Sequence, residues 1–180
     1  MDTNDLNGRT IAILATDGVE QIELTEPRDA LTKQGATVHL ISTNDDSFQG
    51  YNHLDAADTF TVDKTVAQAD AGDYDALMLP GGVANPDALR MDDDAVAFVK
   101  AFADADKPIA AICHAPWTLV EADVLKGRTL TSWPSLQTDI RNAGATWVDE
   151  QVHVDGNLVT SRKPDDLKAF NDAMIQAFSA

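Results

Sequence analysis

The segment AAICHAPW, residues 110–117, holds the single cysteine of the chain, Cys113, with His114 directly after it. An apolar run that breaks at a cysteine and resumes as the apolar stretch WTLVEADVL reads as a strand turning abruptly into a helix. A cysteine at such an elbow faces the positive end of the helix and its free backbone N–H groups, and both favour thiolate over thiol. The same turn presents the amide of His114. A second apolar run ends in LPGG, where the amides of Gly81 and Gly82 can come close to a ligand because no Cβ intervenes. His114 together with Gly81 or Gly82 would make a pair of donors for an oxyanion or an aldehyde oxygen. A third run ends in ATDGVE and supplies an acid, Glu20. Ionised beside Cys113, Glu20 would repel a thiolate; held protonated by that anion and by partial burial, it would donate a hydrogen bond to it. The second arrangement is the expectation, with the two groups titrating as a coupled pair. The plainer readings are a first-turn acid that favours the helix dipole and an inert buried thiol.

These three segments must be brought together by the elements around them. RTIAILAT is a strand-length apolar run, GVEQIELTEPRDALTKQG has helical spacing and stops at Gly35, and ATVHLIST is the next strand, so the chain opens β-α-β. Residues 44–70 are irregular and polar, with TFTVD as one short strand candidate. YDALMLPGG is a buried strand running into a turn, and one helix is expected from Pro86 to Asp104. After the elbow come a short strand RTLTS, a helix PSLQTDIRNAG and two short strands joined at Asp155-Gly156. A last helix starts at Pro164 and turns Leu167, Phe170, Met174 and Phe178 inward. Alternating strands and helices predict an α/β three-layer sandwich with a mostly parallel sheet, flavodoxin-like, formed by a single domain over residues 1–180. Sites in such folds lie at the carboxyl ends of the strands, where all three segments fall.

Composition narrows the partners. The chain carries 30 acidic and 13 basic residues, net charge −17, spread over helices and loops. Such a coat repels phosphate backbones and anionic lipid heads, so neither nucleic acid nor membrane is an expected partner. A salt-rich cytosol is the expected environment, because self-repulsion on this scale is best tolerated where screening is strong. A melting series in increasing salt is expected to show rising stability; a flat or falling series would remove that expectation. One cysteine cannot form an internal disulfide, no run is long and apolar enough for a membrane span, and the first residues lack a signal-peptide layout, so a cytoplasmic protein is expected. The four histidines and the cysteine lack metal-ligand spacing, and LPGGVANP lacks a nucleotide-binding pattern, so neither metal nor cofactor is expected. Trp117 is read as packing, Asn85 and Arg90 as ordering the loop of Gly81 and Gly82, and His153-Val154-Asp155 as hairpin chemistry rather than part of a triad.

Taken in order, GVEQIEL, LPGG, NPDALR, AICHAPW, AGATWVDEQV and VTSRKPDDL resemble the PfpI family within the class I glutamine amidotransferase-like superfamily, which includes the parkinsonism-associated deglycase. The resemblance covers about residues 9–178. It implies a class I glutamine amidotransferase-like fold, Cys113 as nucleophile, Glu20 as its acidic partner, His114 as the histidine after the cysteine, and a homo-oligomer, dimer or higher, whose neighbouring subunit lies near the site. Adjacent residues on a strained elbow point in different directions, so His114 is not required to be the base for Cys113. Ala115 departs from the glycine usual in the family after Cys-His, which bears on substrate range. The function implied is a cysteine-dependent hydrolase of protease, glyoxalase or deglycase type, acting on a small-molecule carbonyl or a peptide. The alternative is a stress-response protein without turnover, a redox sensor or holdase chaperone using the same thiol. A glutamine amidotransferase activity is disfavoured, because no His-x-Glu element or synthetase domain is present in the sequence.

Overall fold

The computed structural model describes residues 4–180. Strand β1 (Thr10–Leu14) leads through the two-residue β2 (Val19–Glu20) into helix α1 (Gln21–Lys33) and back into β3 (Thr37–Ser42). A hairpin of β4 (Ser47–Asn52) and β5 (Asp55–Thr61) follows, then β6 (Lys64–Thr65) and β7 (Ala76–Leu79). Helices α2 (Ala84–Leu89) and α3 (Asp93–Asp104) lead to β8 (Ile109–Ile112) and α4 (Pro116–Glu121). The remainder is β9 (Thr129–Leu130), α5 (Gln137–Asn142), β10 (Thr146–Trp147), β11 (Val152–Asp155), β12 (Leu158–Ser161) and α6 (Leu167–Ser179).

The main sheet has the order β11-β12-β8-β7-β1-β3-β6, and every pairing is parallel except β11 with β12. Strands β7 and β8 are buried along their whole length, which is why they read as unbroken apolar runs rather than alternating ones. Successive side chains still point to opposite faces and feed two cores. Leu14, Leu77, Leu79 and Ala111 join Phe98 and Phe102 of α3 and Leu119 of α4. Ile13, Met78, Ala110 and Ile112 join Leu24 and Leu31 of α1 and Phe170, Met174 and Phe178 of α6. Helices therefore cover both faces of a mostly parallel sheet, the three-layer α/β arrangement expected from the sequence. No helix among the described residues is long and apolar enough to cross a membrane.

Two elements differ from expectation. The helix predicted over Pro86 to Asp104 is two helices, because the Asp92 carboxylate accepts from the Ala95 amide at 2.8 Å and caps a new start. Residues 44–70 contain the β4–β5 hairpin, which pairs with β2 in a sheet of its own. β5 meets solvent on both faces over most of its length, and β4 turns Phe48 and Gly50 inward, but with a single large apolar side chain in SFQGYN the alternation by which a strand is recognised is not visible in the sequence. The tip turns at His53 with φ of 58°, and Leu54 beside it is 94% exposed.

Candidate active site

The carboxyl ends of β1, β7 and β8 meet as expected, and a cavity of about 520 Å³ opens between them and the β4–β5 hairpin. Its wall includes Cys113, Glu20, Glu23, His53, Gly82 and Trp133. Cys113 is the first residue past β8 and holds φ of 64°, the left-handed region that an L-residue enters only at a cost of about 1–2 kcal/mol. The surrounding backbone imposes it. The Cys113 amide donates to the Ser161 carbonyl at 3.1 Å, its carbonyl accepts from the Trp133 amide at 2.9 Å, and the Ala115 amide donates to the Ile112 carbonyl at 3.1 Å. The thiol is 6% exposed, facing the cavity.

The carboxyl beside Cys113 belongs to Glu23, which corrects the assignment of that place to Glu20. Both acids stand at the start of α1. Glu23, one turn further on, points inward with Leu24, Pro27 and Leu31, and is fully buried. Glu23 Oε1 accepts from the Gly81 amide at 3.1 Å, whereas Oε2 is buried without a hydrogen-bond partner; the carboxyl as a whole neighbours the Cys113 thiol. Burial, followed by the negative charge of Glu20, pushes the Glu23 carboxyl up to about 8, so it is protonated at neutral pH. Burial and the negative charge of an ionised Glu23 push the Cys113 thiol upward, against the backbone amides of Gly82 and His114, which hydrogen-bond the sulfur and pull the other way. The expectation of an acidic thiol is not met: the backbone donors are in place, but burial and the neighbouring carboxyl outweigh them and the net shift is upward. The repulsive contribution exists only while Glu23 is ionised.

The two glycines divide the work differently from the symmetrical choice offered by the sequence. The Gly81 amide holds Glu23, and the Gly82 amide faces the sulfur together with that of His114. A Cβ on Gly81 would lie 2.6 Å from Glu23 Oε1 and 2.7 Å from Cys113 Cβ, so only glycine lets β7 end against both groups. Gly82 has φ of 80° and packs against the Gly18 carbonyl.

The His114 ring does meet the cysteine: Nδ1 lies 3.2 Å from Cys113 Sγ, contrary to the expectation that the two side chains diverge. Trp133 stacks on the imidazole at 5.5 Å and Trp117 meets it edge-on at 5.2 Å. Burial between them pushes His114 down to about 4, so the ring is neutral at neutral pH. No carboxylate among the described residues hydrogen-bonds it, which leaves the ring without the acid that orients the base in a catalytic triad. His153 instead pairs with Glu150 at 2.7 Å, and His39 with the Tyr74 hydroxyl at 3.0 Å.

Glu20 lines the same cavity, but its oxygens receive only the His53 amide, at 3.2 and 3.3 Å. Asn85 was legible as an ordering residue, and its side chain is a buried brace: it accepts from the Thr16 amide at 2.7 Å and donates to the Pro80 and Gly81 carbonyls at 3.0 and 3.1 Å. It ties the ends of β1 and β7 together. Asn85→Ala would strand three buried backbone groups, and the expected loss is about 3 kcal/mol in urea unfolding, with weaker turnover alongside. Arg90 packs over the Trp117 ring and pairs with Glu121, away from the glycines.

Residues 9–177 match the DJ-1/PfpI family. YraA of Bacillus subtilis (strain 168), provisionally named a cysteine protease, is 43% identical over 91% of this chain and 94% of its own length. Protein/nucleic acid deglycase 2 of Escherichia coli (strain K12) is 40% identical over 96% of this chain and 99% of its own. The crystal structure of Drosophila melanogaster DJ-1beta superposes with a TM-score of 0.86 at 26% identity, over 95% of this chain and 90% of that one.

Proposed function

Because the chain belongs to the DJ-1/PfpI family, we propose that it is a cysteine-dependent hydrolase of glyoxalase or deglycase type, acting on small reactive carbonyls or their adducts on protein. The supporting observation is a sulfur at the floor of an open cavity, faced by the Gly82 and His114 amides and in contact with a buried carboxyl that keeps its proton to about pH 8.

A proton shared between Cys113 and Glu23 can rest on either group, and the reactive form is the thiolate with a protonated carboxyl. The sulfur adds to an aldehyde carbon to form the C–S bond, and the carbonyl π pair moves onto oxygen. The Gly82 and His114 amides are the donors placed to meet that charge. The Glu23 proton ends on the oxygen and a carboxylate remains. This step needs one proton donor, which the site has. Amide hydrolysis also requires an acid for the leaving amine, and His114, pushed down to about 4, is a poor one at neutral pH. That difference favours carbonyls over peptides.

The test is a panel of methylglyoxal, methylglyoxal-treated N-acetylarginine and a peptidyl coumarin amide. Turnover of the first two with little of the third is expected. Turnover of the peptide alone would overturn the reading.

A further inference from the structure

Glu20 is the part of the cavity that the sulfur chemistry leaves unused. It occupies the position preceding α1, yet its side chain makes no capping bond to the helix. The side chain is only 12% exposed, in a wall whose surface is mainly apolar, from Leu54, Val83, Ala84 and Trp133. No lysine or arginine among the described residues lines that wall. The nearest nitrogen able to carry charge is His53 Nδ1, 3.9 Å away on a side chain that is 86% exposed, too wet and too distant to neutralise the carboxylate. Asp17, the other acid at the rim, is satisfied by neutral donors, the Gln49 amide at 2.8 Å and Asn44 Nδ2 at 3.0 Å. Glu20 has only the two long contacts to the His53 amide. A half-desolvated carboxylate with this little compensation is stabilised by a cation brought into the cavity and repels an anion.

We infer that Glu20 is the substrate-selecting anchor of this cavity, and that the favoured substrate carries its reactive carbonyl on, or next to, an ammonium or guanidinium group. The cation pairs with Glu20 while the carbonyl reaches Cys113, and the exposed indole of Trp133 offers the same cation an aromatic face. An anionic substrate of equal size would be rejected by Glu20. The inference rests on the cysteine chemistry proposed above for its turnover, but not for its selectivity, which a chemical probe reads independently.

Cys113 is the only cysteine, so methanethiosulfonate reagents label one site. The thiolate attacks the sulfenyl sulfur, a disulfide forms and methanesulfinate leaves. The measurement is the ratio of labelling rates for a trimethylammonium-ethyl and a sulfonatoethyl reagent, in the full chain at fixed ionic strength. Glu20→Gln is expected to lower the cation-to-anion ratio at least about tenfold, and Glu20→Asp to keep most of it. Asp94→Asn, which removes one equally formal charge from the exposed start of α3, is expected to leave the ratio within about twofold. A ratio unchanged in Glu20→Gln, or lowered as much by Asp94→Asn, overturns the inference; so does an equal fall in Glu20→Asp, which would mark a purely structural role for the hairpin contact. If the ratio shifts as expected while no carbonyl is turned over, the selectivity stands and the proposed reaction fails. If carbonyls are turned over and the ratio does not move, the reverse holds.

Discussion

Cys113→Ala is expected to abolish turnover of dicarbonyls and their adducts, a fall of at least about 1000-fold, with the fold retained by circular dichroism. The magnitude follows from loss of the only atom placed to form a covalent intermediate. The Gly82 and His114 amides would still polarise a carbonyl, but nothing would attack it. Cys113→Ser tests the same point more sharply, since it preserves shape and hydrogen bonding while replacing an ionisable thiol with a hydroxyl that stays protonated. A serine variant as active as the parent would show that general polarisation, rather than sulfur, carries the reaction. Activity surviving in the alanine variant would remove the proposed function altogether.

Glu23→Gln has the second-largest expected consequence, and it separates two opposite roles for the buried acid. As a proton donor to sulfur, Glu23 supports the thiolate, so the glutamine variant should be alkylated by iodoacetamide about tenfold more slowly at pH 7, roughly one pKa unit of thiolate stabilisation. As an ionised neighbour it would only repel, and the variant would react faster. The same substitution is visible in stability. The Glu23 carboxyl has an ordinary value of 4.5 and is pushed up to about 8 in the fold, so the native state binds the extra proton between those limits. Stability from this group is therefore complete below pH 4.5 and is lost as the pH rises through 8, a change on the order of 5 kcal/mol. Glu23→Gln should flatten that descent in urea titrations. His114 acts in the other direction: its ordinary value is 6.5 and burial lowers it to about 4, so its contribution weakens as the pH falls from 6.5 to 4 in both proteins. A glutamine variant with the same alkaline descent as the parent would place the responsible proton elsewhere.

The sheet and its strand ends were legible because long apolar runs ending in Gly-Gly, Asp-Gly or Cys-His leave few alternatives to buried parallel strands that stop together. The hairpin was legible only in TFTVD, which overlaps β5; β4 was not, since Phe48 is its one large apolar side chain, stacked inward on Phe60, among polar neighbours. Glu20 and Glu23 lie in the same seven-residue segment, GVEQIEL, and the choice between them needed the phase of α1. The signal was present. Glu23, Leu24, Pro27 and Leu31 fall on one helical stripe, and an acid on an apolar stripe is the anomaly that marks a buried carboxyl. The split between α2 and α3 was also readable in retrospect from Asp92, whose spacing to Ala95 fits a helix cap. By contrast, the contact of His114 with the sulfur depends on two tryptophans clamping the ring, one of them Trp133, twenty residues after Cys113, and no local pattern announces it.

The hairpin tip at His53 and Leu54 touches the cavity but contributes no atom to the surroundings of the sulfur. Glu20 and Glu23, by contrast, lie three residues apart, the first preceding α1 and the second in its first turn, so a shift of the helix start moves both. A change in that surface turn can therefore reshape the mouth of the cavity while leaving the sulfur, its amide donors and the buried carboxyl in place.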